Sequence, residues 1–102
     1  ALAEMAFAGG FGIEAELSGL PTGSDRLRAD AALFSESCSR YIVEVQADLV
    51  KDFLSVMAET VTGRIGTVTK EKNLCIRDIA GNLVINCELD RLKNAWQKPL
   101  KW

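Results

Sequence analysis

Three short β-type runs crowd the stretch from Gly63 to Glu88: GRIGTVTK, NLCIRD and NLVINCE. Glu71 and Lys72 separate the first from the second, and the turn residues Ala80, Gly81 and Asn82 lead into the third. Runs this short, rich in Val, Ile and Thr and bounded by turn chemistry, are strands. A sheet of such strands must cover its apolar face with something, and the flanking sequence supplies helices. The predicted order is helix, strand, helix, strand, helix, three strands, helix. That mixture predicts an α+β fold, a layered sandwich of a mixed, mostly antiparallel sheet with packed helices on one or both faces.

The first half follows from local periodicity. ALAEMAFAGG is helical, with Leu2, Met5 and Ala6 on one face and Gly9–Gly10 as its C-terminal stop. No residue caps its start, so the chain is expected to be truncated at its N-terminus. FGIEAELSG alternates Ile13, Ala15 and Leu17 against Glu14 and Glu16, a half-buried strand. Gly9, Gly10 and Gly12 follow a helix and precede a strand, the reverse of the dinucleotide-loop order, and read as a helix stop and a tight turn. Ser24 or Asp25 is expected to cap a short helix carrying Leu27, Ala31 and Phe34 on one face. YIVEVQ (41–46) reads as a strand. Asp48 is expected to cap the helix DLVKDFLSVMAET, with an apolar stripe of Leu49, Val50, Phe53, Leu54 and Met57 and a stop at Gly63. Glu88 or Asp90 opens a last helix in which Leu89, Leu92, Ala95 and Trp96 share a face, and Pro99 ends it.

Size and charge narrow the function. A chain of 102 residues builds one core, so residues 1–102 are read as a single domain. A net charge of −2 argues against a non-specific nucleic-acid binder. With no apolar run long enough to span a bilayer and no signal peptide, the chain reads as cytoplasmic and without a membrane partner. Cys38, Cys75 and Cys87 are widely and irregularly spaced, which suits neither a disulfide framework nor a zinc site. Cys75 and Cys87 sit in strand-like runs and read as small buried hydrophobes. The chain has no histidine, which removes the usual general base and the commonest metal ligand. Any catalysis in which it takes part is therefore expected to use groups held elsewhere, and no catalytic or metal-ligating residue is assigned.

One stretch resists a purely architectural account. LFSESCSRY, Leu33 to Tyr41, alternates serines with a glutamate just before an apolar run and has none of the usual turn residues Gly, Pro, Asn or Asp. Ser35, Glu36, Ser37 and Ser39 offer hydroxyl donors and acceptors plus one carboxylate. The competing reading is that these hydroxyls cap backbone groups between a helix and a strand.

Taken with ALAEMAFAGGFG before it and ELDRLKNAWQKPL at the end of the chain, LFSESCSRY resembles the synthetase subunits of the phosphoribosylformylglycinamidine synthase family. The similarity is to the end of their C-terminal domain, of the kind also found in aminoimidazole ribonucleotide synthetase. Family chains place an acidic, Gly-rich segment before the ALAEM helix, absent here. The resemblance implies an ATP-dependent ligase of purine biosynthesis that makes formylglycinamidine ribonucleotide from formylglycinamide ribonucleotide and ammonia. It implies ATP and magnesium bound mainly outside this chain, and a glutaminase subunit and a small accessory subunit as partners. It places Ser35, Glu36, Ser37 and Ser39 at the substrate pocket, against a neighbouring domain. Arg40 then either holds Glu36 or meets a phosphate, or stands as an ion pair at the strand start. The family more often has Pro or Gln where this chain has Cys38. A related ATP-dependent synthetase or kinase, and a non-catalytic α+β interaction module, remain as alternatives. The chain alone is expected to be inactive, to expose an apolar face around Leu2 and Met5, and to self-associate through it. Trp96 is expected in the core, and Glu14 and Glu16 in solvent.

Overall fold

A computed structural model of the chain describes residues 1–21, 28–36 and 38–100. Helix α1 (Leu2–Gly9) ends as the sequence predicts, with Gly10 in the left-handed region at φ 76° and its N–H returning to the Ala6 carbonyl. Strand β1 (Gly12–Glu16) follows at once. Strands β2 (Gly66–Thr69), β3 (Asn73–Arg77) and β4 (Leu83–Glu88) match the three predicted runs. They form one four-stranded sheet in the order β2-β1-β3-β4. β1 is antiparallel to β2 and parallel to β3, and β3 and β4 form an antiparallel hairpin. The sheet is mixed and mostly antiparallel, the predicted class.

The pleat decides what is covered. Ile13 lies beside Leu74 and Ala15 beside Ile76, all on one face. With Ala6, Leu17 and Leu89 they make up the buried apolar core, each no more than 7% exposed. Ala6 comes from α1 and Leu89 from α4 (Leu89–Gln97), so these two helices roof that face. Glu14 and Glu16 are exposed, as predicted. Glu14 pairs across to Thr67 on one side and Cys75 on the other, which gives the sheet a polar second face. Trp96 is 52% exposed rather than buried in the core. It leans on Phe7 of α1 with ring centroids 5.7 Å apart, which ties the two roofing helices together at their rim.

Several expectations are corrected. Helix α2 (Ala29–Phe34) turns Ala29, Ala32 and Leu33 toward the core, while Ala31 is exposed and Phe34 is 77% exposed. Leu27, Ser24 and Asp25 lie outside the described residues. YIVEVQ forms no strand; among the described residues nothing pairs with it, and strand propensity without a neighbour does not make a strand. Helix α3 (Val50–Val56) is short and carries no fully buried residue; of its predicted stripe Val50, Phe53 and Met57 are half-buried and Leu49 and Leu54 exposed. Asp48 sits in a preceding 3-10 turn and makes no capping bond; Leu49 holds the N-cap position. Gly63 is not the helix stop, since α3 ends before Met57. A Cβ at Gly63 would run into the Gly19 carbonyl oxygen, so the residue permits two backbones to cross closely. Cys75 and Cys87 are half-buried rather than buried. Leu2 packs partly buried against the core, and Met5 alone of the expected pair stays exposed.

Candidate functional site

The serine loop begins where α2 stops. The N–H of Ser35 bonds the Ala31 carbonyl at 3.0 Å, which closes the helix with a backbone group and leaves the Ser35 hydroxyl uncommitted. Beyond it Ser35, Glu36, Ser39 and Arg40 are all exposed. Ser37 lies outside the described residues. Ser39 adopts φ 62°, the only non-glycine in the left-handed region among the described residues. A serine there costs about 1–2 kcal/mol against an extended backbone, and the chain accepts that cost to reverse direction at Cys38–Ser39.

The loop chemistry is open. Among the described residues no hydrogen bond engages the hydroxyls of Ser35 or Ser39, or the carboxylate of Glu36. Among the described residues a capping bond from the Ser35 or Ser39 hydroxyl is therefore not made. Neither is the ion pair expected for Arg40: among the described residues the single ion pair is Arg28–Asp30, at 3.2 Å on the surface. Ser35, Glu36, Ser39 and Arg40 are thus exposed on either side of and within the turn at Cys38–Ser39, and among the described residues no hydrogen bond or ion pair joins their side chains to the rest of the fold.

Two features escaped the sequence. The first is a shallow apolar depression where Met5, Phe11, Ile13 and Val68 meet Glu44. Its walls come from α1, the start of β1, β2 and the segment after the serine loop, so only the sheet order brings them together. The second is the part Asp78 plays in the β3–β4 turn, whose place Ala80, Gly81 and Asn82 had marked. Asp78 accepts the Asn82 N–H at 2.8 Å and the Asn82 side-chain amide at 3.3 Å. The Asn82 backbone bond, against a smaller opposing effect of desolvation, holds the Asp78 carboxyl below its ordinary value. The Asp-x-x-Gly-Asn spacing was the available signal for this turn.

Comparison with known proteins gives the family. The description AIR synthase related protein, C-terminal domain, matches residues 1–79. The phosphoribosylformylglycinamidine synthase subunit PurL of Deinococcus radiodurans is 35% identical over 99% of this chain. The PurL subunit of Caldanaerobacter subterraneus subsp. tengcongensis is 34% identical over all of it, and that of Moorella thermoacetica 36% over 98%. In each case the chain spans 13% of the length of its relative. The family match takes in α1, the serine loop and the first three strands, while the PurL similarity continues through β4 and α4. With a mixed four-stranded sheet roofed by α1 and α4 beneath that match, the chain belongs to the family of AIR synthase related C-terminal domains.

Proposed function

We propose that this chain is the C-terminal portion of an ATP-dependent C–N ligase, the synthetase subunit of a phosphoribosylformylglycinamidine synthase. The reaction converts formylglycinamide ribonucleotide, ammonia released from glutamine, and ATP into formylglycinamidine ribonucleotide, ADP and phosphate. The observation that carries this reading is similarity at 34–36% identity to three PurL subunits along 98–100% of the chain. A glutaminase subunit and a small accessory subunit complete the proposed assembly, in the cytoplasm. Among the described residues, no helix is long and apolar enough to cross a membrane.

In that reaction ATP supplies the phosphoryl group that makes the substrate amide oxygen a leaving group, and magnesium accompanies it. The residues here do not fit that site. Among the described residues no three Asp, Glu or Cys side chains gather as a metal-holding group, and Gly10 is committed to ending α1. The contribution proposed for this chain is substrate binding. Ser35, Glu36, Ser37 and Ser39 present donors and acceptors to the formylglycinamide arm, and Arg40 meets its phosphate or positions Glu36. The uncommitted hydroxyls and carboxylate of the turn support this, because groups already satisfied within the fold would have nothing to offer a ligand.

The test is an assay of the longer synthetase chain containing these residues, supplied with formylglycinamide ribonucleotide, ATP and ammonia. Amidine formation with ADP release is expected there, and no ATP turnover from residues 1–102 alone. A long chain that makes no amidine, or ATP-dependent product from the short one, would overturn the reading.

A further inference from the structure

The segment Arg40–Val45 is strand-like in sequence yet lies at neither edge of the sheet. Its residues are exposed except Val45, with Tyr41 at 87% and Val43 at 58%. Among the described residues none of its backbone N–H or carbonyl groups is hydrogen-bonded. A strand-like apolar segment whose backbone groups make no bond among the described residues is a template for strand addition.

We propose that this segment pairs with the same segment of a second copy of the chain, antiparallel and centred on Ile42. The charge pattern selects both partner and register. Arg40 and Glu44 are the charged residues of the segment, two positions either side of Ile42. Centring the two-fold axis on Ile42 sets Arg40 opposite Glu44 of the other copy at both ends. It also sets Tyr41 opposite Val43 twice and Ile42 opposite itself. Opposite charges, aromatic against β-branched and β-branched against β-branched are the favoured cross-strand pairs. Moving the axis to Glu44 would face two carboxylates, and moving it to Arg40 would face two guanidinium groups, each destabilising. The pairing closes on itself as an isologous contact, so it ends at a dimer. Arg40 is shared with the proposed substrate site, so the pairing is read from the association of the 102-residue chain and not from ligase activity.

Sedimentation velocity of the 102-residue chain over a concentration series tests this. A monomer passing to a dimer, with no larger species, is expected. Glu44→Arg sets arginine against arginine at both ends and should raise the dimer dissociation constant at least about tenfold. Arg40→Glu should do the same with two carboxylates, and the double exchange Arg40→Glu/Glu44→Arg should restore dimerisation to near its original strength. All four chains should give the same circular dichroism spectrum, because both side chains lie outside the core. A monomer at every concentration, assembly that runs past the dimer, or a double exchange as weak as the single variants would overturn the proposal.

Discussion

Glu36 is exposed and touches no cation among the described residues, so its charge contributes little to the fold. In the longer synthetase Glu36→Gln keeps the shape and one acceptor but loses the charge. A hydrogen bond to a charged group is worth roughly 1.5–3 kcal/mol, so kcat/KM for the ribonucleotide should fall about 10- to 150-fold. The KM for ATP and the melting temperature should hold; unchanged kinetics with a lowered melting temperature would return Glu36 to architecture. Asp78 behaves in the opposite way, because it is committed within the fold. Its carboxyl lies below the ordinary value, so the stability it lends is present above the unfolded pKa of about 3.9 and is lost as pH falls through the lower folded value. The melting temperature of the chain should therefore drop on acidification below about pH 4. Asp78→Asn should melt lower at pH 7 and lose part of that acid dependence, and identical pH–melting curves would refute this. Gly63→Ala meets the Gly19 carbonyl oxygen and Pro21, and forced overpacking of this kind costs about 1–3 kcal/mol in a denaturant titration.

Secondary elements divide by whether their apolar side found a partner. Helix α4 reaches the core through Leu89, which is 3% exposed, so Leu89→Ala should cost about 2–5 kcal/mol. Phe34 on α2 is larger but 77% exposed, and Phe34→Ala should stay within about 0.5 kcal/mol. Equal losses at the two positions would contradict the assignment of the roof. Helix α3 has no fully buried residue, so its amides should exchange with deuterium well before those of β1 and β3. The same division explains which elements were legible. β1 was readable because its alternation ran against two strands that actually flank it. The run 41–46 carried as strong a signal and formed no strand, since what is called strand propensity is mostly packing against neighbours. The stripe on α3 is covered only at Val50, Phe53 and Met57, and Ala31 and Phe34 on α2 stay exposed, for a related reason: a periodic pattern marks an apolar side without naming what will cover it. The serine loop stood out by its residue types, and only the family resemblance carried it to a substrate role. The left-handed Ser39 was not legible, because nothing in a serine signals positive φ.

At the scale of the whole molecule, a radius of gyration of 14.7 Å exceeds the roughly 13 Å expected of a compact domain of this length. The excess fits a body of sheet plus α1 and α4, with the segment from Tyr41 through α3 to Val61 contributing no residue to the buried core. Limited proteolysis should therefore cut first between residues 41 and 61 and leave β1, β3 and β4 protected; first cuts within β3 would refute this division. The amino-acid sequence by itself determined the mixed α+β class, the places of β1 to β4, the glycine stop of α1 and the final helix, because each is marked by local periodicity and turn chemistry. The pairing of β1 with both β2 and β3, one antiparallel and one parallel, was decided only in three dimensions. So were the meeting of Ala6 with Leu89 over one face and the choice of which apolar stripes stay in water. Those outcomes depend on which distant surfaces are present to exclude solvent, and local periodicity carries no record of that.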